Sequence, residues 1–66
     1  MDVTVNGAPA ELTDGATVAD LVAERSGGHD RVAVARNGDV VPRSSWTSTP
    51  LATGDVLEVL APTAGG

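Results

Sequence analysis

The 66 residues predict an α+β fold: a mixed sheet of four to five strands with one helix packed on one face. Three observations carry this. Two Asn-Gly pairs, Asn6-Gly7 and Asn37-Gly38, each lie between short runs that alternate polar and apolar residues, which is the pattern of a two-residue hairpin turn. One segment near Val18 has apolar residues at helical spacing. The run Val56-Leu57-Glu58-Val59-Leu60 is the most hydrophobic in the chain and so belongs in the interior of the sheet.

Taken in order, Asp2 to Asn6 alternates through Val3 and Val5, and Ala8 to Leu12 returns with Ala8, Ala10 and Leu12 on one side. Pro9 has no N–H to give to a ladder, which suits an edge strand. Thr13-Asp14-Gly15 breaks the pattern, and Thr17 followed three residues later by Asp20 resembles a capping box, with the helix beginning near Val18. Val18, Leu21 and Val22 form its apolar stripe, Asp20 and Glu24 face water, and Ser26-Gly27-Gly28 ends it. About two turns of helix are unstable alone, so this one needs a sheet to lie on. Arg31 to Arg36 and Asp39 to Val41 form the second hairpin, stopped by Pro42, and Ser44 to Thr53 reads as an irregular connection.

In the last strand the alternation places Leu57 and Val59 toward the helix and Val56 and Leu60 on the opposite, uncovered face, where they form an apolar patch. Beyond Leu60 the pattern stops. Ala61-Pro62-Thr63-Ala64-Gly65-Gly66 carries no charge and no large apolar group. The domain is therefore read as residues 1–60 and residues 61–66 as a flexible C-terminal tail, which spans about 20 Å when extended.

Composition removes several classes of function. A single domain of this size has little room for an enclosed active site. Without cysteine there are no disulfides, thiolate metal sites or thiol nucleophiles, and the chain suits a reducing cytoplasm. No apolar run approaches a membrane span and Met1-Asp2-Val3 does not open a signal peptide, so a cytoplasmic setting with no membrane partner is expected. The net charge is −5, and its four cations are the scattered arginines Arg25, Arg31, Arg36 and Arg43, which disfavours nucleic acid and favours a basic protein partner.

Individual side chains add little catalytic promise. His29 stands in a loop with no second His or Cys near it in sequence, and is read as a surface residue; no metal site is expected. Ser44 and Ser45 lack a partner base and read as turn hydroxyls. Gly27-Gly28 follows a helix, whereas phosphate-cradling glycines precede one. Trp46, the only aromatic residue, reads as a packing residue, with contact to a partner as the sharper alternative. No nucleophile, base and oxyanion site occur together, so the chain is not expected to be an enzyme.

The order of hairpin, helix, hairpin, link, final strand and Gly-Gly end resembles the β-grasp arrangement of ubiquitin-like sulfur carriers. Val5-Asn6-Gly7, Ala16-Thr17-Val18-Ala19-Asp20-Leu21 and Asn37-Gly38-Asp39-Val40-Val41-Pro42-Arg43-Ser44-Ser45-Trp46 resemble the sulfur carrier family of thiamine biosynthesis, and Thr49-Pro50-Leu51, Gly54-Asp55 and Gly65-Gly66 continue the likeness over essentially the whole chain. The proline-containing tail departs toward the related carriers of molybdopterin synthesis, but the Val41 to Trp46 stretch favours the thiazole branch.

The resemblance implies that an E1-like adenylating enzyme, using ATP and Mg, activates the Gly66 carboxylate. A persulfide donor then supplies sulfur, and the resulting thiocarboxylate passes to thiazole synthase. No cofactor is expected on this chain itself. Gly65 and Gly66 would carry the chemistry, because residues without Cβ pass a narrow channel and leave the acyl carbon open. Arg43, Trp46 and Leu60 are the candidate partner contacts. A carrier for molybdopterin or another sulfur-containing metabolite, and a non-covalent β-grasp interaction module, are the alternative functions.

Overall fold

Each Asn-Gly pair closes a hairpin, and the last strand joins the two hairpins into one sheet. The computed structural model describes residues 1–26 and 31–60. Strands β1 (Asp2–Val5) and β2 (Ala8–Glu11) run antiparallel with Val5 opposite Ala8. Strands β3 (Ala33–Arg36) and β4 (Asp39–Val41) do the same with Arg36 opposite Asp39. At both turns the two central residues have positive φ, 51° and 80° at Asn6-Gly7 and 52° and 88° at Asn37-Gly38. Positive φ at both positions matches the right-handed twist of the flanking strands, and asparagine and glycine adopt it at least cost.

Strand β5 (Val56–Leu60) lies in the middle of the order β2-β1-β5-β3-β4, parallel to β1 and antiparallel to β3. Pro9 therefore sits in an edge strand, where its missing N–H costs no rung. Val3, Val5, Val34 and Leu57 project from one face into the core, where Leu12, Val18, Leu21, Val22, Val32, Trp46 and Leu51 complete it.

Helix α1 (Val18–Ser26) covers this face with Val18, Leu21 and Val22 buried. Its capping box is formed: the Thr17 N–H donates to Asp20 Oδ2 at 2.9 Å and the Asp20 N–H donates to Thr17 Oγ1 at 3.3 Å. Such a cap is worth about 1 kcal/mol. A further donor of the first turn, the Val18 N–H, is taken by the Thr49 carbonyl at 3.0 Å. The proposed terminating residues Gly27 and Gly28 lie outside the described residues, as does His29.

The elements differ in places from the sequence reading: β1 and β2 end at Val5 and Glu11, one residue early, and two larger differences follow. Strand β3 begins at Ala33 rather than Arg31, although Val32 is buried. The connection expected to be irregular contains a 3-10 helix, Arg43–Ser48. Ser45 donates its N–H to the Pro42 carbonyl at 2.8 Å, and the hydroxyls of Ser48 and Thr49 donate to the Ser45 carbonyl at 3.2 and 2.7 Å. These local bonds hold the turns without any apolar repeat, because only Trp46 faces the core.

Candidate functional site

Strand β5 is the element that leads toward Gly65-Gly66, so the groups that hold it and the face it presents define the site. Residues opposite one another on neighbouring strands share a face. Ala35 lies opposite both Val40 and Glu58, Ala33 lies opposite Leu60, and Thr4 lies opposite Val56. Val40, Val56, Glu58 and Leu60 therefore project from the face away from Leu57 and the core. Val40, Val56 and Leu60 are 75%, 49% and 62% exposed, and they are the exposed large hydrophobic side chains among the described residues. The expected apolar patch is present, extends onto β4 through Val40, and has a carboxylate, Glu58, among its apolar residues.

Both edges of β5 are fastened by side chains from the hairpin turns. On the β1 side, Asn6 donates its N–H to the Leu57 carbonyl at 2.9 Å. Its side-chain amide then accepts from the Val59 N–H at 2.8 Å and donates to the Val59 carbonyl at 3.1 Å. On the β3 side, Asn37 donates its N–H to the Val56 carbonyl at 2.7 Å and accepts from the Val56 N–H through Oδ1 at 2.9 Å.

Asp55, immediately before β5, is buried and joins three segments. Its Oδ2 accepts from Arg36 Nε at 2.9 Å and from the Ala52 N–H at 2.8 Å, while Oδ1 accepts from Asn37 Nδ2 at 3.0 Å. Burial pulls this carboxyl upward. The hydrogen bonds from Ala52, Arg36 and Asn37, with the positive charge of Arg36, together outweigh burial and hold it below its ordinary 3.8.

The residues singled out from sequence fall in different places. Leu60 lies on the exposed face at the end of β5. Trp46 is buried on the helix side and its Nε1–H donates to the Val41 carbonyl at 3.0 Å, so the structure separates it from Leu60. Arg43 is exposed at the start of the 3-10 helix. Gly65 and Gly66, with the rest of segment 61–66, lie outside the described residues. In the sequence Asn6 and Asn37 mark only turns and Asp55 only part of the family likeness; no periodicity marks a side chain that bonds to a distant segment. Among the described residues no helix is long and apolar enough to cross a membrane.

A family model described as the ThiS family matches residues 3–66. The chain is similar to a crystal structure of a thiamine biosynthesis protein, ThiS, from Geobacter metallireducens, with 32% identity, TM-score 0.83 and all of both chains covered. It is also similar to a solution structure of a thiamine biosynthesis protein from that organism, with 30% identity and TM-score 0.84, covering all of this chain and 88% of the other. A thiazole synthase from Paramagnetospirillum magneticum is 35% identical over 66 residues, all of this chain but only 20% of that protein's length. With the helix-covered mixed sheet and the motifs leading to Gly66, these matches show that the chain belongs to the ThiS family.

Proposed function

We propose that this chain is a protein sulfur carrier for the thiazole half of thiamine, with the Gly66 carboxylate as its working group. The observation that carries the reading is the extent of the family match, which runs through residue 66 and so includes Gly65-Gly66. The thiazole synthase with a stretch similar to the whole of this chain supports the thiazole branch and a synthase as the eventual sulfur acceptor.

The chemistry follows from what a carboxylate lacks. Ionised at neutral pH, it is a ready oxygen nucleophile but a poor acyl donor. One carboxylate oxygen attacks the α-phosphorus of ATP on an E1-like enzyme, pyrophosphate leaves, and the acyl carbon becomes reactive. The terminal sulfur of a persulfide displaces AMP, and a thiol then cleaves the S–S bond to leave the thiocarboxylate. ATP and Mg belong to the partner, and this chain contributes the carboxylate and the surface by which it is recognised.

The exposed face of Val40, Val56 and Leu60 is the docking surface this reading uses, and its apolar exposure suits protein contact. Leu60→Asp is expected to raise the KM for the carrier in carrier-dependent ATP–pyrophosphate exchange by about tenfold. Because Leu60 is exposed, its unfolding free energy should stay within about 0.5 kcal/mol of wild type. An unchanged KM would remove this face from the docking surface.

Intact-mass analysis after incubation with the adenylating enzyme, ATP, Mg and a persulfide donor tests the function directly. One oxygen should be replaced by sulfur, and fragmentation should place the change at Gly66. No mass change under conditions that load a known carrier would overturn the carrier reading.

A further inference from the structure

The Asn6 side chain continues a ladder that its own strand has abandoned. Strand β1 ends at Val5 and turns away, yet β5 runs on to Leu60. The Asn6 amide occupies the position that the next peptide group of a longer β1 would hold, accepting from the Val59 N–H at 2.8 Å and donating to the Val59 carbonyl at 3.1 Å. An amide is suited to this because it offers one acceptor and one donor in a plane, as a peptide does. Val59 is the penultimate residue of β5, so this is the last described fastening on the β1 side before the chain continues into segment 61–66.

We propose that Asn6 is a positioning residue for the chemistry at Gly66: by holding both backbone groups of Val59 it fixes the direction in which the chain leaves the sheet. The inference rests on the carrier reading above. A reacting terminus at the end of six residues gains rate from any constraint on where those residues start and point. Removing the Asn6 amide moves the last β1-side fastening back to Leu57. Strand β3 still pairs with Val59 and Leu60, so the tether keeps its length and only the direction in which it starts is freed on the β1 side. That lost orientation costs about tenfold.

Asn37 supplies the control within the same molecule. It has the same backbone conformation in the same kind of turn and also fastens β5, but at Val56, the end remote from Gly66. Asn6→Gly and Asn37→Gly each keep the positive φ and delete one amide. In carrier-dependent ATP–pyrophosphate exchange at saturating carrier, well below the unfolding temperature of either variant, Asn6→Gly is expected to lower kcat about tenfold with KM nearly unchanged. Asn37→Gly should leave kcat within twofold of wild type. Amide hydrogen exchange should show lost protection at Val59 in the first variant alone.

A kcat fall of twofold or less in Asn6→Gly, or an equal fall in Asn37→Gly, would overturn the inference. Failure of the wild-type chain to support exchange would instead overturn the carrier reading itself, so the two failures are distinguishable.

Discussion

Adding one residue after Gly66 is expected to abolish sulfur loading while leaving the unfolding transition unchanged. The extension converts the Gly66 carboxylate into an amide, which has no anionic oxygen to attack ATP. The new carboxylate lies about 3.5 Å further along the chain. A misplacement of 1 Å can cost about a hundredfold in rate, so loading should fall below detection. Gly66→Val keeps the carboxylate but adds a branched Cβ beside the acyl carbon, and should lose most loading for a steric reason. Neither change alters a side chain of the described core, whose last buried member is Leu57. Intact mass and thermal unfolding of the same samples check both halves. Thiocarboxylation of the extended chain would defeat the proposal that Gly66 is the working terminus.

The largest effect on stability is expected at Asp55. Asp55→Ala strands the Arg36 guanidinium, the Ala52 N–H and the Asn37 amide at once, and should lower the unfolding free energy by about 3 kcal/mol. At roughly 0.05–0.15 kcal/mol per residue, a domain of this length has about 3–10 kcal/mol in all. Asp55→Asn keeps the shape and one acceptor and should cost less.

The pH dependence has a definite sign. The folded-state carboxyl is held below 3.8, so as pH falls the unfolded chain takes up the proton first. The stabilisation is therefore intact well above 3.8 and is lost as pH falls through the lower folded-state value. Urea titrations of wild type and Asp55→Asn from neutral pH downward should converge in the acid range. Parallel curves would show that Asp55 contributes nothing through its charge.

Much of this was legible in the sequence. The Asn-Gly pairs located both hairpins because positive φ at two successive residues is a requirement few dipeptides meet cheaply. Thr17 and Asp20 located the helix start because their reciprocal bonds depend only on local spacing. The hydrophobic run at Val56 to Leu60 identified the central strand, and its alternation separated the core face from the exposed one. The 3-10 helix was missed because Ser45, Ser48 and Thr49 stabilise it through bonds within a few residues, with a single apolar contact at Trp46. The joint at Asp55 was missed for the opposite reason: its partners Arg36 and Asn37 come from another hairpin, and only the tertiary fold brings them together.

The strand order has a consequence for how the molecule is made. Strands β1 and β3 do not pair with each other; β5 lies between them. During synthesis both hairpins can close as soon as they emerge, but they face an empty slot until the final strand arrives, with an unpaired edge on each side. Closing the sheet thus depends on contacts distant in sequence and follows the local turns. A nascent chain stopped before Val56 lacks two of the three large apolar side chains of the exposed sheet face and the segment that carries Gly66. On the proposed carrier function, the surface to be recognised and the segment that bears Gly66 are therefore completed together, by the last strand to be made.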